Sequence, residues 1–407
     1  MKCRHCAHPL EHLFLDLGYA PPSNAYRTEE DLSKPETHYP LRVRVCDNCW
    51  LVQTEDYTQA DALFSADYAY FSSTSSTWLA HAADYCSHVT EELGLNSQSF
   101  VIEVASNDGY LLKNFVASGI PCLGIEPTAS TASAAEALGV PVLREFFGEA
   151  LAKRLNTESR QADLIIGNNV YAHVPDINDF TSGLKTALKP GGTITLEFPH
   201  LLQLVSHTQF DTIYHEHFSY LSLYTVSRVF ERCGLRVLNA QELGTHGGSL
   251  RVFGCHADDP RVTQQSVVRM LQTEQDAGLR DLVNYRAFQA RAERIKDDLV
   301  SFLIEQKRAG KRVIGYGAAA KGNTLLNFAG VRPDLLPAIC DAAPAKQGKR
   351  MPGSHIPILA PAFLEQGTPD FVLILPWNIA TEVRAQLSPL STKGCQFVTA
   401  VPSLEIR

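Results

Sequence analysis

Between residues 100 and 198, short apolar runs alternate with helical stretches, and this alternation leaves the chain few folds to choose from. Phe100 to Val104, Cys122 to Glu126, Asp163 to Gly167 and Thr193 to Phe198 read as strands with helices between them, the pattern of a parallel sheet with crossover helices. Leu235 to Leu238 and Ser249 to Phe253 flank the turn Gly244-Thr245-His246-Gly247-Gly248, so the sheet is expected to end in an antiparallel hairpin. A polar segment follows, in which Phe288, Ala292, Ile295, Leu299 and Leu303 recur at helical spacing before Gly310, which predicts a connecting amphipathic helix. A second, smaller βα series begins at Arg312-Val313-Ile314-Gly315-Tyr316-Gly317 and runs through Leu335 to Cys340 and Phe371 to Leu375.

With 407 residues and about 150 per domain, two or three domains are expected. A composition that is 45% hydrophobic and 20% charged, with no long apolar tract, excludes both a disordered and a membrane-spanning chain. The net charge of −8 argues against a large nucleic-acid-binding surface, which needs clustered cations. Met1-Lys2-Cys3 lacks the apolar stretch of a secretion signal, so the ten cysteines are expected in a reducing cytoplasm.

Four of those cysteines form two C-x-x-C pairs, Cys3/Cys6 and Cys46/Cys49. The second pair separates the strand-like Leu41 to Val45 from Trp50-Leu51-Val52, so Asp47-Asn48 reads as a hairpin turn. Each such turn aims two thiolates at one point, and two turns supply the four sulfur ligands of a structural zinc site with no open coordination position. The 39 intervening residues are expected to hold a loop around Pro21-Pro22. Redox use of a single pair is the alternative.

In Val101-Ile102-Glu103-Val104-Ala105-Ser106-Asn107-Asp108-Gly109-Tyr110, a turn of small and polar residues follows a strand and precedes a helix, where doubly wound sheets bind ligands. The next strand ends in Glu126, 17 residues after Gly109, and a carboxylate there can accept both hydroxyl hydrogens of an adenosine ribose. Glu103, Ala105, Asn107, Gly109, Tyr110, Glu126 and Pro127, with Asn168 and Asn169 after the fourth strand, form the expected cofactor-contact set. A lone glycine also serves any turn of positive φ without a ligand.

Leu188-Lys189-Pro190-Gly191-Gly192 before Thr193 to Glu197 resembles the approach to the fifth strand of class I S-adenosylmethionine-dependent methyltransferases. Together with the paired C-x-x-C motifs, the E-x-A-S-N-D-G-Y-L-L turn, Tyr68-x-Tyr70-Phe71-Ser72-Ser73, Tyr214-His215-Glu216-His217-Phe218 and Gly315 to Asn323, the whole chain resembles the nucleotide-sugar C-methyltransferases of deoxysugar biosynthesis. Ala105 and Asn107 stand where generic methyltransferases carry glycine, a departure that is the rule in this family. The resemblance implies a class I methyltransferase Rossmann-like domain, an N-terminal zinc-binding module and a smaller C-terminal Rossmann-like α/β domain, with limits near 1–65, 66–256 and 257–407. It also implies S-adenosylmethionine as methyl donor, and methylation at C3 of a TDP-linked 4-keto sugar. A monomer is compatible with all of these motifs.

Methylating carbon needs a base to remove the hydrogen α to the ketone and a donor to steady the enolate oxygen. By resemblance, His217 is the base, Tyr214, Glu216 and Tyr70 arrange the site, and His173 contacts the keto sugar. Tyr68, Tyr70, His173, Lys321 and Asn323 are expected on the substrate, with Lys321 or the Lys346/Lys349/Arg350 cluster available for the diphosphate. The bland readings are a hydrogen-bonded His-Glu-His loop, a helix cap at His173 and a solvated basic loop. A metal on His215-Glu216-His217 lacks the i, i+4 histidine spacing. Gly315-x-Gly317 with Asp341 leaves an NAD(P)-dependent oxidoreductase open, and the cysteines leave a noncatalytic zinc adaptor open.

Overall fold

The structure is a computed structural model that describes residues 1–57 and 71–407. The first elements are β1 (His12–Ala20), β2 (Tyr39–Val45) and β3 (Val52–Thr54). β2 and β3 pair antiparallel across the second C-x-x-C turn, Val45 opposite Val52, as the hairpin reading requires. The stretch between the cysteine pairs holds more than the expected loop, because β1 also pairs antiparallel with β2. Its apolar alternation is broken by two register shifts, which hides the strand from a period-two search.

The strands β4 (Val101–Val104), β5 (Cys122–Ile125), β6 (Val142–Leu143), β7 (Ala162–Asn168), β8 (Leu188–Pro199), β9 (Ser219–Tyr220), β10 (Leu235–Leu243) and β11 (Ser249–His256) follow. All but β9 form one seven-stranded sheet of order β10-β11-β8-β7-β4-β5-β6. β4 to β8 run parallel, while β11 is antiparallel to both β8 and β10. Leu188 to Gly192, expected as a loop, belongs to β8: Leu188 pairs with Ala162, and the register shift before Leu164 is absorbed where Gly191 turns at φ 78°.

β9 leaves this sheet and pairs with β3, so the N-terminal sheet has the order β1-β2-β3-β9. The final six-stranded sheet has the order β14-β13-β12-β15-β16-β17, built from β12 (Val313–Tyr316), β13 (Ile339–Cys340), β14 (Ile358–Leu359), β15 (Phe371–Ile374), β16 (Gln396–Thr399) and β17 (Glu405–Ile406). Only β17 is antiparallel.

The helix Phe288–Arg308 buries Phe288, Ala292, Ile295, Leu299 and Leu303, the stripe its spacing predicts. One continuous apolar cluster joins that stripe to Phe14, Leu15 and Val43 of the N-terminal sheet, Phe210 and Ile213 of the central region, and Val313 and Leu373 of the final sheet. Phe14 packs on Phe288 at 4.6 Å and on Tyr285 at 5.4 Å between ring centroids. The helix is therefore a shared core element as well as a connector. Among the described residues no helix is long and apolar enough to cross a membrane.

Gly124 sits in β5 directly beside Ser106 of the β4 turn, where an added Cβ would lie 2.4 Å from Ser106 Oγ. Gly124→Ala is expected to destabilise the protein by about 1–3 kcal/mol through overpacking; denaturant unfolding beside the wild type measures it.

Candidate functional site

The two cysteine turns have the same backbone. Ala7 N–H donates to Cys3 O at 2.9 Å and Trp50 N–H to Cys46 O at 2.8 Å, and Ala7 and Trp50 both adopt left-handed φ near 60°. This folds each C-x-x-C onto itself. Cys3 and Cys49 Sγ lie 3.6 Å apart, as do Cys6 and Cys46, and all four sulfurs fall within 4.8 Å of one another. A tetrahedron with Zn–S bonds near 2.3 Å has S···S edges of about 3.8 Å, so the cluster fits a structural Zn²⁺. Gln53 donates to Cys3 Sγ at 3.2 Å and its Oε1 accepts from Arg4 N–H. Among the described residues no other set of three or more such side chains converges, and His215 turns away to Pro40 O.

At the carboxyl end of β4 the chain reverses through three left-handed residues, Ala105 (φ 57°), Asn107 (φ 49°) and Gly109 (φ 76°). Gly109 also admits the close approach of the helix Ala129–Ala137, since a Cβ there would meet Ala135 at 3.0 Å. Glu126, expected on the ribose, braces the turn: Oε2 accepts from Asn107 N–H at 3.0 Å and Oε1 from Thr128 N–H at 2.9 Å. Each oxygen keeps a second lone pair, enough for two ribose hydroxyls. Asn107 and Asp108 in turn accept from Ser72 and Ser73 N–H.

Glu103, Asp108 and Glu126 thus crowd together under one turn. Burial, then the charges of Asp108 and Glu126, push the Glu103 carboxyl well above its ordinary range, and among the described residues Glu103 Oε2 and Asp108 Oδ1 have no hydrogen-bond partner. Both polar atoms of Asn168 and Oδ1 of Asn169, at the end of β7, are likewise buried without hydrogen-bond partners among the described residues. S-adenosylmethionine carries a sulfonium and an ammonium, so a cradle of unsatisfied carboxylates and amides fits it. Tyr110 is buried against Trp78, with ring centroids 5.9 Å apart, and Pro127 is half-buried beside Glu126.

The Tyr214 to Phe218 loop carries the expected base. His217 Nδ1 lies 3.1 Å from Thr212 O, and a carbonyl only accepts, so Nδ1 holds the proton and Nε2 presents the lone pair. Burial, and next the neighbouring His173, hold His217 well below its ordinary value, which keeps it neutral. The Tyr214 and His173 rings lie 4.1 and 4.5 Å from it. His173 Nδ1 donates to Glu216 O at 2.7 Å, while the helix Ile177–Ala187 is capped by Asp176, so His173 is not its cap. Burial likewise pushes Glu216 up; Asn24 donates to its Oε1, and Oε2 has no hydrogen-bond partner among the described residues.

The final domain brings Lys321 and Asn323 to this side of the molecule on the helix Ala320–Phe328, which is clamped by Thr324 Oγ1 donating to Ile213 O at 2.8 Å. Asn323 is fully buried and Asn327 donates to its Oδ1. The other basic residues are mostly engaged: Lys346 donates to Ala318 O, and Arg350 pairs with Glu29, a tie between the N-terminal loop and the final domain. Lys349 is half-buried, and its ammonium has no hydrogen bond or ion pair among the described residues. Asp341 accepts from Ala318 and Ala343 N–H, so it braces its own turn. Tyr68 and Tyr70 lie outside the described residues.

Several neighbours were not singled out from sequence. Thr54 Oγ1 donates to His217 O at 3.2 Å, and Asn169 Nδ2 donates to His246 Nε2 at 3.2 Å. Asn169 and His246 both hold left-handed φ of 54°. Glycines on either side of His246 were the available signal for so tight a turn.

Comparison with known proteins gives a consistent picture. A C-methyltransferase C-terminal domain model matches residues 244–402, a zinc binding domain model residues 3–64, and a methyltransferase domain model residues 78–240. The C-methyltransferase NovU of Streptomyces niveus is 33% identical over 401 residues, covering 98% of this chain and 95% of that protein. Among solved structures, an S-adenosylmethionine-dependent methyltransferase from Clostridium acetobutylicum aligns over 42% of this chain and 89% of its own at 13% identity and a TM-score of 0.35. One from Anabaena variabilis aligns over 43% and 84% at 15% identity and a TM-score of 0.36.

Metal analysis of the purified protein should find one zinc per chain. Cys46→Ser should lose zinc and cooperative folding together, since metal binding supplies folding free energy at such sites. Glu126→Ala should weaken S-adenosylmethionine binding by about 1.5–3 kcal/mol, the scale of hydrogen bonds to a charged acceptor; titration calorimetry reads the difference.

Proposed function

Since the chain belongs to the family of S-adenosylmethionine-dependent C-methyltransferases, we propose that it methylates the carbon α to the ketone, C3, of a TDP-linked 4-keto deoxysugar, with His217 as the base. The observation that carries this reading is the hydrogen bond from His217 Nδ1 to Thr212 O, which leaves a neutral Nε2 lone pair inside a buried loop of polar side chains. S-adenosylmethionine supplies, when bound, an electrophilic methyl group. Glu103, Asn168 and Asn169 would hold its charged amino-acid part, and Glu126 its ribose.

His217 Nε2 removes the hydrogen from the carbon next to the ketone, and the carbon so activated takes the methyl group. The Tyr214 ring against His217 and the bond from His173 to Glu216 O hold the imidazole in place. Glu216, raised in pKa and with Oε2 unpartnered among the described residues, suits a sugar hydroxyl. Lys349 is the member of the Lys346/Lys349/Arg350 group left for the diphosphate. Three functional units near 1–65, 66–256 and 257–407 follow the roles of metal binding, methyl transfer and nucleotide-sugar binding. A site of four thiolates survives in a reducing compartment, which supports the cytoplasm as its location.

Mass spectrometry after incubation with S-adenosylmethionine and TDP-, GDP- or CDP-linked 4-keto sugars tests the reading. One added methyl on the TDP-linked compound is the expected result. His217→Asn should bind both ligands yet turn over roughly 10²–10⁴ times more slowly, the usual contribution of a positioned base. Because burial lowers His217 from 6.5, the neutral base persists down to its depressed value. The acid limb of kcat/KM should therefore fall below pH 6.5, with no loss through this group between pH 6.5 and 8.

A further inference from the structure

We infer that the ammonium of Lys321, contributed by the C-terminal domain, donates a hydrogen bond to the enolate oxygen formed when His217 deprotonates the substrate, and is thus a catalytic residue rather than a diphosphate ligand. The inference rests on the reading of the site given above. Lys321 Nζ donates to Asn378 Oδ1 at 2.6 Å and stands 4.5 Å over the Trp377 ring. An ammonium has three N–H groups, and among the described residues the other two have no hydrogen-bond partner.

The cage around Lys321 hangs from the same short stretch that holds the base. Trp377 Nε1 donates to Asp211 Oδ2 at 2.7 Å, the next residue, Thr212, supplies the carbonyl that fixes His217, and the one after, Ile213, receives the bond from Thr324. Asp211 is fully buried, and its Oδ1 has no hydrogen-bond partner among the described residues. The base and the ammonium are therefore fixed to one backbone segment from two sides. The charge of Lys321 reaches His217 and His246, where it favours the neutral imidazoles.

The step needs such a group. When the proton passes to His217 Nε2, the C–H electron pair becomes the carbon–carbon π bond and the carbonyl π pair moves onto oxygen. That oxygen becomes an anion, and a preorganised donor is most effective where charge develops. When the new carbon–carbon bond forms, the methyl–sulfur bond of the sulfonium donor breaks with its pair left on sulfur, and the carbonyl reforms. The proton stays on His217 until release. Asp211 disfavours a permanent dianion beside Lys321, whereas a single transient oxyanion matches one ammonium with free donors.

The test uses the full-length enzyme and the TDP-linked 4-keto sugar that the wild type methylates. Lys321→Gln should lower kcat by about 10²–10³, the effect of removing one oxyanion donor. Affinities for TDP and S-adenosylmethionine should stay within about twofold on the same reasoning, and α-hydrogen exchange into D2O without methyl donor should slow in parallel. Removing the cation should also raise the His217 pKa, so the acid limb of kcat/KM moves to higher pH, while Lys321→Arg restores the limb and part of kcat. Asn378→Leu, which leaves the lysine in place but unaimed, should lower kcat without moving KM. Unchanged kcat in Lys321→Gln or Asn378→Leu, or a loss confined to TDP affinity, overturns the inference alone. A wild type that methylates no 4-keto sugar overturns the parent reading and this one with it.

Discussion

The antiparallel pairing of β3 with β9, Val52 opposite Tyr220 and Gln53 opposite Ser219, is the constraint on which the histidine-bearing loop before β9 depends. The loop from Tyr214 to Phe218 has no regular structure of its own, and its backbone must find partners elsewhere. It finds them in two directions. Thr54 N–H donates to Phe218 O and Thr54 Oγ1 to His217 O from the N-terminal sheet, while Phe218 N–H donates to Ala172 O and His173 to Glu216 O within the central domain. Each bond contributes only about 1 kcal/mol net, but together they leave His217 little room to move. Thr54 lies five residues after Cys49, so the cysteine cluster and the strand that holds the loop belong to one short stretch of chain.

Arg4 reinforces the same joint. Its guanidinium donates to Pro175 O and Thr54 O, and Asn178 donates to the carbonyls of Arg4 and His5. The zinc turn is thereby stitched to the segment just after His173. Charge is divided across the site in a way that suits its two ligands. Carboxylates gather under the β4 turn, where the proposal puts the cationic donor, whereas His173 and His246, near the proposed base, are both pushed down to about 4 by burial and stay neutral. A charged histidine there would be a weaker base and a poor neighbour for a sulfonium.

Features carried by contiguous residues were legible in the sequence. The Cys46/Cys49 hairpin, the turn after Val104, the carboxylate at Glu126 and the stripe from Phe288 to Leu303 all depend on local spacing, and the structure contains each of them. What stayed hidden joins distant residues. Nothing local to Ser219-Tyr220 says that this pair completes a sheet begun at His12, and two residues are too few to show a period. β1 was masked by its bulges, and the start of β8 by a Pro-Gly-Gly sequence that ordinarily marks a loop. The partners of the site residues, Thr54 on His217, Asn24 on Glu216 and Asp211 on Trp377, are separated by more than 160 residues each.

The last constraint is steric. The C-terminal domain approaches the site over the turn at 244–248, and at Gly247, with φ 92°, a Cβ would lie 2.4 Å from the Trp377 ring. Gly248 is equally tight against Gln203, at 2.5 Å. A side chain at either position would strain the backbone, and at Gly247 it would also press on the Trp377 ring that bonds Asp211, because there the left-handed conformation and that close contact coincide. Gly247 therefore admits the Trp377 ring, with the Lys321 ammonium over it, this close to the turn. His246, between Thr245 and Gly247, takes the strained conformation that a non-glycine residue normally avoids, and its bond to Asn169 holds it there. The turn thus connects Asn169, just after β7, to the Trp377 ring over which the Lys321 ammonium stands.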